Sequence, residues 1–304
     1  MKLAAELRAE SYGRRATCEA LRNSAQGLHN LDMSMPQILY GTAWKKSRTA
    51  DLVTAAINFG FRGVDTAGQP KHYDEIGVGA GIAAALSTEL TRQSLYLQTK
   101  FTPLAGQDPT QVPYDPAAPL TAQVAQSFAS SLRNLQTSYV DCLILHSPLP
   151  NARDMTEVWR AMEAVVQQGG ARRLGISNCS RLVELERLYR FAEIKPSVVQ
   201  NRFHAKTGYD HALRAFCRQH QISYQSFWTL TGNRELLAHA KLRACAVKYG
   251  RTAPQILFRY LTQSDVTPLT GTTNAMHMRE DLAIFEFTLT PFECGAITKL
   301  CAGA

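Results

Sequence analysis

The sequence lacks the features that mark membrane-spanning, disulfide-linked and zinc-binding proteins. No apolar run approaches the roughly 18–20 residues that a membrane-spanning helix needs, so we expect no membrane insertion. The seven cysteines are odd in number and include no C-x-x-C pair, which is typical of free thiols in a reducing compartment. The eight histidines show no metal-ligand spacing, and we therefore expect no bound metal.

Long runs of like charge are also absent. The chain has 33 basic and 25 acidic residues, a formal net charge of +8, and the basic residues are scattered along it. Such scatter suits a small anionic ligand better than a nucleic acid, so we expect no nucleic-acid partner. With 304 residues, of which 45% are hydrophobic and 19% charged, the composition excludes wholesale disorder and suits one large α/β domain.

From residue 37 onward, short apolar runs alternate with segments of helical periodicity. The apolar runs predict eight strands: QILYG, FRGVD, LYLQTK, VDCLILH, RRLGIS, SVVQN, ISYQSFW and DVTPLTG. Strict alternation of strand and helix is typical of a parallel sheet, and eight repeats are the number that closes a TIM barrel. We therefore predict an α/β fold with a single (β/α)8 barrel over residues 35–304, including a long helical stretch over 232–262.

Residues 1–34 differ from the rest of the chain and predict an N-terminal extension. They combine alanine, arginine and glutamate at helix-compatible spacing with no strand pattern. A mitochondrial presequence would be rich in arginine and poor in acids, and Glu6, Glu10 and Glu19 argue against one. A cytoplasmic location is the favoured interpretation, and organellar targeting by residues 1–34 stays open as an alternative.

The segment GVGAGI, residues 77–82, invites comparison with a dinucleotide-binding loop. The G-x-G-x-x-G pattern would need glycine at Ile82, and the segment lies inside a predicted helix instead of a strand-to-helix turn. We expect these glycines to permit close packing between helices.

Polar residues stand at the ends of several predicted strands. Asp65, Lys100 and His146 each end an apolar run. Because the carboxyl ends of parallel barrel strands meet at one face, where active sites form, we expect these side chains to converge. Comparable positions after later strands are held by Ser177, Asn178, Gln200, Phe227 and Trp228.

Asp65, Lys100 and His146 would form a reaction site with a tyrosine, and the segment after Asp65 supplies Tyr73. A free tyrosine has a pKa near 10, and we expect the ammonium of Lys100 to favour the phenolate and lower that pKa. An aspartate would hold the lysine charge in a buried site, and a histidine would orient a substrate oxygen. This set of residues suits carbonyl reduction, with Tyr73 as the general acid.

In order along the chain, several segments resemble aldo-keto reductases over roughly residues 36–300. These segments are GTAW (41–44), GFRGVDTA (60–67), HYDEIGVG (72–79), LQTKF (97–101), YVDCLILHSPL (139–149), LGISN (174–178), VVQNRFH (198–204) and HMREDL (277–282). The resemblance implies a (β/α)8 barrel, reduction of an aldehyde or ketone, and a catalytic tetrad of Asp65, Tyr73, Lys100 and His146.

The resemblance also implies where a nicotinamide cofactor is bound. Ser177, Asn178 and Gln200 would bond to its amide. Phe227, which stands where the family often has tyrosine, would stack on its ring. Gly41, Thr42 and Trp44 would line the mouth, with Trp44 and His146 contacting the substrate. Further cofactor contacts are expected at Trp228, Thr270, Gly271, Thr272, His277, Arg279 and Asp281.

Two departures from the family pattern affect these expectations. The family's tyrosine usually lies five residues after the aspartate, where this chain has Pro70, so Tyr73 is an inference and His72 is a rival general acid. The family's lysine and arginine that grip the adenosine 2′-phosphate fall at Gly271 and His277. We expect NADP(H) as the cofactor, with NAD(H) open as an alternative.

Two other functions stay open at this stage. Lys100 could form a Schiff base as in an aldolase, although a paired Asp65 would keep it charged. Some proteins of this type are cofactor-binding regulatory subunits of ion channels, for which residues 1–34 are the candidate partner surface. The proline-rich segment 102–120 is either a lid or a fixed surface loop. The sequence predicts a small-molecule carbonyl substrate without identifying it, and it does not reveal the oligomeric state.

Overall fold

Eight parallel strands form a closed barrel in the computed structural model, which describes residues 35–301. The strands are β1 (Leu39–Gly41), β2 (Gly63–Asp65), β3 (Tyr96–Phe101), β4 (Cys142–Leu145), β5 (Leu174–Ser177), β6 (Val198–Arg202), β7 (Ser223–Phe227) and β8 (Val266–Thr270). They pair in chain order, and β8 pairs with β1 to close the ring. The predicted (β/α)8 barrel is confirmed, and the extension predicted for residues 1–34 lies outside the described residues.

Helices alternate with the strands. In the described part of the chain they are α1 (Thr49–Phe59), α2 (Glu75–Ala85), α3 (Leu120–Leu135), α4 (Ala152–Gln167), α5 (Leu182–Phe191), α6 (His211–Gln219), α7 (Arg234–Ala238), α8 (Ala240–Tyr249), α9 (Ala253–Thr262), α10 (Ala275–Leu282) and α11 (Pro291–Cys301). Met155, Val158, Trp159 and Met162 of α4 are buried at three- and four-residue spacing, the pattern of a helix with one apolar face. Between residues 35 and 301, no helix is both long and apolar enough to cross a membrane.

The single helical stretch expected over 232–262 is wrong, because the chain is interrupted there twice. His239 is extended, with φ −67° and ψ 138°, and separates α7 from α8. Gly250 ends α8 at a φ of +60°, a conformation that glycine adopts without steric cost. Thr252 and Gln255 then form a capping box that starts α9. Each break satisfies the backbone groups at a helix end, so three short helices replace one long one.

The glycine-rich segment lies inside α2, as predicted, and its glycines allow neighbouring helices to approach closely. A Cβ atom added to Gly79 would lie 2.3 Å from the carbonyl oxygen of Asn134 in α3. One added to Gly81 would lie 2.5 Å from the carbonyl oxygen of Ala50 in α1. The expectation of close helix packing is confirmed, because a larger residue at either position would collide with backbone.

The proline-rich segment after β3 is anchored to the barrel by two buried side chains. Gln107 donates hydrogen bonds to the carbonyl oxygens of Gly68 and Thr102, at 2.8 and 3.2 Å. The hydroxyl of Tyr114 donates to the same carbonyl oxygen of Thr102 at 2.8 Å. Of the two alternatives for this segment, these bonds favour a fixed surface loop over a lid.

Candidate active site

Lys100 and Asp65 form a buried ion pair at the carboxyl ends of β3 and β2. The Lys100 ammonium donates to both carboxylate oxygens of Asp65 at 2.7 Å and to the carbonyl oxygen of Thr66 at 2.9 Å. Lys100 is 1% exposed and Asp65 2%. Burial alone would lower the pKa of Lys100, but Asp65 and other nearby groups outweigh it, and the pKa lies above its usual value. The lysine is therefore charged at neutral pH.

Tyr73 lies beside this ion pair although it follows Asp65 by eight residues. The Lys100 nitrogen is 5.2 Å from the centroid of the Tyr73 ring, and the rings of Tyr73 and His146 are 6.0 Å apart. The extra residues are taken up by a turn in which the amide of Tyr73 donates to the carbonyl oxygen of Gln69 at 3.0 Å. Pro70, at the position where the family usually has tyrosine, is exposed.

Lys100 acts on the pKa of Tyr73 in the expected direction, but the net pKa is raised because burial has the larger effect. Burial raises the pKa of the Tyr73 hydroxyl, and the nearby carboxylate of Asp65 adds to that effect. The charge of Lys100 and its hydrogen bond to the hydroxyl act in the opposite direction but do not overcome burial. The hydroxyl therefore stays protonated at neutral pH, as a proton donor must, and Lys100 is placed to stabilise the phenolate that donation leaves.

His146 follows β4 and is uncharged. Burial lowers its pKa to about 3, and the charges of Lys100 and His72 contribute to the shift. One ring nitrogen, Nδ1, lies 2.6 Å from the hydroxyl oxygen of Thr102. A neutral imidazole carries a single proton, so the position of that proton decides whether the other nitrogen, Nε2, is a hydrogen-bond donor or an acceptor.

His72, the rival general acid, has its proton committed elsewhere. Gln69 donates its Nε2 to the carbonyl oxygen of Gly106 at 2.6 Å, which leaves Oε1 facing His72. His72 Nδ1 lies 2.8 Å from that oxygen, so Nδ1 carries the proton of the neutral ring. Burial, followed by the charge of Lys71, lowers the pKa of His72. Its imidazole also stacks on Trp44, with the ring centroids 3.9 Å apart.

The strand ends β5 and β6 bring Ser177, Asn178 and Gln200 to the same face of the barrel. Both N–H groups of the Gln200 amide are donated inward, to Asp65 and Gln225, at 2.9 Å each. Asn178 donates its amide to the carbonyl oxygen of His146 at 2.8 Å and to Ser177 at 3.3 Å. Among residues 35–301, the amide oxygens of Asn178 and Gln200 accept no hydrogen bond, so two acceptors remain at this edge of the site.

Aromatic side chains surround the mouth on two sides. Trp44 is 66% exposed, Trp228 is 48% exposed, and Phe227 is partly buried. Arg202, which the sequence reasoning missed, places its guanidinium carbon 5.2 Å from the Trp228 ring and 5.9 Å from the Phe227 ring. Arg202 could have been found from its position two residues after Gln200, because alternate residues of a strand point to the same face.

Three of the predicted site residues have a left-handed backbone although none is glycine. The φ angles are +65° at Trp44, +54° at Asn178 and +57° at Trp228. Such conformations cost of order 1 kcal/mol or more and cluster at functional sites. Their occurrence at three strand ends around one mouth adds to the case for a functional site there.

The barrel interior below Asp65 contains a polar layer that the sequence reasoning also missed. Gln98 pairs in register with Asp65, and Gln225 pairs with Gln200. Gln98 donates to Asp65 Oδ1 at 2.6 Å and to Gln225 at 2.8 Å, and Gln225 donates back to Gln98 at 2.9 Å. None of these four side chains is more than 2% exposed. The sequence signal is a single glutamine in each of two apolar runs, two residues before Lys100 in LYLQTK and two residues before Phe227 in ISYQSFW.

The ends of β1 and β8 position Gly41 and Thr42, which were expected to line the mouth, and bring Lys45 next to Gly271. The amide and hydroxyl of Thr42 both donate to the carbonyl oxygen of Asp65, at 3.0 and 2.9 Å, so Thr42 fixes strand ends to each other. Gly41 is partly buried, and a Cβ atom added there would lie 3.4 Å from the carbonyl oxygen of Thr270. The Lys45 ammonium donates to the carbonyl oxygen of Gly271. Burial, with the charge of Arg48, lowers the pKa of Lys45 to about 8.

The segment after β8 divides between exposed and buried residues. Gly271 and His277 are exposed, Thr272 is partly buried, and Asn274 caps the first turn of α10 through bonds to the amides of Met276 and His277. This open loop is available to a ligand at the mouth of the barrel.

Two other residues expected to bind the cofactor have partners within the protein. Asp281 is buried and accepts a hydrogen bond from the hydroxyl of Thr270 at 2.6 Å. The guanidinium carbon of Arg279 lies 4.4 Å from the centroid of the Phe59 ring, at the C-terminal end of α1. The structure therefore does not bring Arg279 to the strand ends that carry the other residues.

Comparison with known proteins agrees with this arrangement. A model of the aldo/keto reductase family matches residues 37–302. Methylglyoxal reductase DkgA of Yersinia pestis is 29% identical over 272 residues, covering 88% of this chain and 90% of that protein. The NADPH-dependent alpha-keto amide reductase of Saccharomyces cerevisiae is 26% identical, covering 86% of this chain and 84% of that protein.

Solved structures give the same result. An aldo/keto reductase from Brucella melitensis superposes with a TM-score of 0.74 at 28% identity, covering 88% of this chain and 95% of that chain. A Bombyx mori aldo-keto reductase in complex with NADP superposes with a TM-score of 0.73 at 27% identity, covering 87% of this chain and 89% of that chain. The barrel, the strand-end residues and these matches together establish that the chain belongs to the aldo/keto reductase family.

Proposed function

We propose that the protein is an NADP(H)-dependent reductase of small aldehydes or ketones, with Tyr73 as the general acid. The observation that carries the proposal is the meeting of Tyr73, His146 and the Lys100–Asp65 ion pair at one mouth of the barrel. When bound, the reduced nicotinamide supplies a hydride. The protein must then orient the carbonyl group and give a proton to its oxygen.

Tyr73 is suited to donate that proton. Its raised pKa keeps the hydroxyl protonated before the reaction, and the Lys100 ammonium stabilises the phenolate afterwards. Asp65 holds the ammonium in place through bonds from Lys100 to both carboxylate oxygens. The low exposure of Lys100 and Asp65 strengthens this electrostatic effect, because water does not screen it.

His72 is a poor alternative donor in this arrangement. Its proton lies on Nδ1 and is given to Gln69, while the lowered pKa keeps the ring from taking a second proton at neutral pH. His146 is also neutral, and we assign it the orientation of the substrate oxygen. Tyr73 thus has the role of acid and His146 that of a neutral positioning group at the substrate.

The residues at the mouth fit a nicotinamide. The amide oxygens of Asn178 and Gln200, which accept no hydrogen bond from residues 35–301, suit the two N–H groups of a carboxamide. Phe227 offers an apolar ring for stacking, on the strand that follows Gln200. The exposed indole of Trp228 lies next to it in sequence.

The residues expected around the adenosine 2′-phosphate fit the cofactor less well than those around the nicotinamide, because Gly271 and His277 stand where the family has lysine and arginine. Lys45 supplies a cation beside Gly271, and Thr272 and the exposed loop after it supply polar groups. A relative named as NADPH-dependent and a structural neighbour bound to NADP support the phosphorylated cofactor. The names of relatives that reduce methylglyoxal and alpha-keto amides suggest small dicarbonyl compounds as the first substrates to examine.

The Schiff-base alternative finds no support in the geometry around Lys100. Such a lysine must be neutral to attack a carbonyl carbon, whereas Lys100 is bonded to both oxygens of Asp65 and its pKa is raised. No observation favours the regulatory-subunit alternative over turnover.

Oxidation of NADPH in the presence of methylglyoxal and a panel of aldehydes and ketones tests the proposal. We expect turnover with at least one small carbonyl compound, and turnover of the same compound slowed about 10²–10⁴-fold in Tyr73→Phe. When sodium borohydride is added with the same compounds, Lys100 itself should remain unmodified. A stable adduct on Lys100 would instead favour the aldolase, and folded protein that binds no nicotinamide would contradict the proposal.

A further inference from the structure

The hydroxyl of Thr102 makes a short contact with His146 that the family resemblance did not predict. Thr102 directly follows β3, two residues after Lys100, and its Oγ1 lies 2.6 Å from His146 Nδ1. Thr102 is only 2% exposed, so its hydroxyl has little access to water. A hydrogen bond of this length to one ring nitrogen constrains which nitrogen carries the proton.

The direction of this bond follows from counting acceptors. Among residues 35–301, the hydroxyl proton of Thr102 has one acceptor, His146 Nδ1. If Nδ1 carried a proton and donated to Thr102, the hydroxyl proton would be buried without an acceptor. That loss disfavours the Nδ1–H form by about tenfold or more, because a buried unpaired donor forfeits its hydration. The arrangement with all protons bonded has Thr102 donating to Nδ1.

The backbone around both residues is held firmly. The carbonyl oxygen of Thr102 accepts from Tyr114 at 2.8 Å and from Gln107 at 3.2 Å. The amide of His146 donates to the carbonyl oxygen of Phe101 at 2.9 Å, and Asn178 donates to the carbonyl oxygen of His146 at 2.8 Å. The backbones of Thr102 and His146 are therefore held in place on both sides of the contact.

We propose that Thr102 is a positioning residue that sets the tautomer of His146, donating to Nδ1 so that Nε2 carries the proton. The Nε2–H group is then a hydrogen-bond donor available to the substrate carbonyl oxygen, which has no proton of its own to give. In the opposite tautomer Nε2 would present a lone pair to that oxygen and repel it. The functional part of this inference rests on the proposed carbonyl reduction, whereas the tautomer itself does not.

The test uses three variants of the full chain. Thr102→Val keeps the shape of the side chain and removes the hydroxyl, and Thr102→Ser keeps the hydroxyl. Thr54→Val is the matched control, since the Thr54 hydroxyl bonds to the carbonyl oxygens of Ala50 and Gly81 on the outer helices. Nitrogen NMR of protein labelled in histidine distinguishes Nδ1–H from Nε2–H. The signal that disappears in a His146→Gln variant identifies His146 among the eight histidines.

In the wild type, Thr102→Ser and Thr54→Val, we expect the Nε2–H tautomer of His146 to be at least about ten times as populated as the Nδ1–H tautomer. In Thr102→Val the Nδ1–H form should become measurable. The kcat for carbonyl reduction should fall about tenfold in Thr102→Val, recover in Thr102→Ser, and leave the Kd for NADPH unchanged. A wild-type His146 that is protonated on Nδ1, or an identical tautomer ratio in Thr102→Val, would overturn the proposal. Absence of carbonyl turnover in the wild type would count against the proposed function, and the NMR result would still decide the tautomer.

Discussion

The side-chain amides of Gln98 and Gln225 bond to each other in both directions inside the barrel, at 2.8 and 2.9 Å. The pair joins β3 to β7 and reaches Asp65 directly through Gln98. It reaches Asp65 a second time through Gln200, which donates to both Gln225 and Asp65. The polar layer thus connects a residue expected to hold the nicotinamide with the carboxylate that orients Lys100.

Removing one amide of this pair should destabilise the protein because it leaves the other amide buried without its hydrogen-bond partner. Gln98→Leu leaves Gln225 without two of its buried hydrogen bonds, and Gln225→Leu does the same to Gln98, so each should cost about 1–3 kcal/mol. The double variant should cost less than the sum of the two. Guanidinium unfolding in a double-mutant cycle measures the coupling, and strictly additive losses would show that the amides do not act as a pair.

Lys45→Met should weaken NADPH binding by about tenfold and affect NADH much less, because Lys45 is the cation beside Gly271. Titrations followed by tryptophan fluorescence measure both affinities, since Trp44 and Trp228 lie at the mouth. Lys241→Met, which alters an exposed lysine of α8, is the control for loss of one positive charge. Equal losses for NADPH and NADH in Lys45→Met would place the phosphate elsewhere.

The same lysine predicts a pH dependence of cofactor binding. With a pKa lowered to about 8, Lys45 of the free protein loses its charge as the pH rises through that value. The affinity for NADPH should therefore decline above pH 8 in the wild type, and the decline should be smaller in Lys45→Met. A parallel decline in the two proteins would assign the effect to another group.

Asp281 should make the protein less stable as the pH rises. Burial raises the pKa of its carboxyl from 3.8 to about 6, so the folded protein holds this proton more tightly than the unfolded chain. The proton on Asp281 contributes at most about 3 kcal/mol to the free energy of unfolding. This contribution is fully present below pH 3.8, the pKa in the unfolded chain, and is lost as the pH rises through about 6. Asp281→Asn cannot ionise, so its stability relative to the wild type should increase from acid to neutral pH. Guanidinium unfolding of both proteins across this range measures the difference, and a constant difference would contradict the raised pKa.

The strand ends explain why much of the fold and site could be predicted from the sequence. Asp65, Lys100 and His146 each close an apolar run, and parallel strands bring the ends of such runs to one face. Tyr73 was harder to place, since three extra residues separate it from the usual spacing and only the turn at Gln69 brings it back.

Contacts between distant segments account for what could not be predicted. The bond between Thr102 and His146 spans 44 residues, and the bond between Gln98 and Gln225 spans 127. Neither pair leaves a local pattern. The net pKa of Tyr73 depends on how burial balances against Lys100, and burial is a property of the packed structure. The breaks at His239 and Gly250 similarly depend on local capping that periodicity does not record.

The measurement that tests the central claim most directly compares the single-turnover oxidation of bound NADPH by a carbonyl substrate in Tyr73→Phe and in His72→Gln. Both substitutions remove a titratable ring group near the mouth, but only Tyr73 has a proton to give. We predict that Tyr73→Phe slows the hydride-transfer step by about 10²–10⁴-fold with an unchanged Kd for NADPH, and that His72→Gln slows it far less. Wild-type rates in Tyr73→Phe, together with a large loss in His72→Gln, would contradict the account and make His72 the acid.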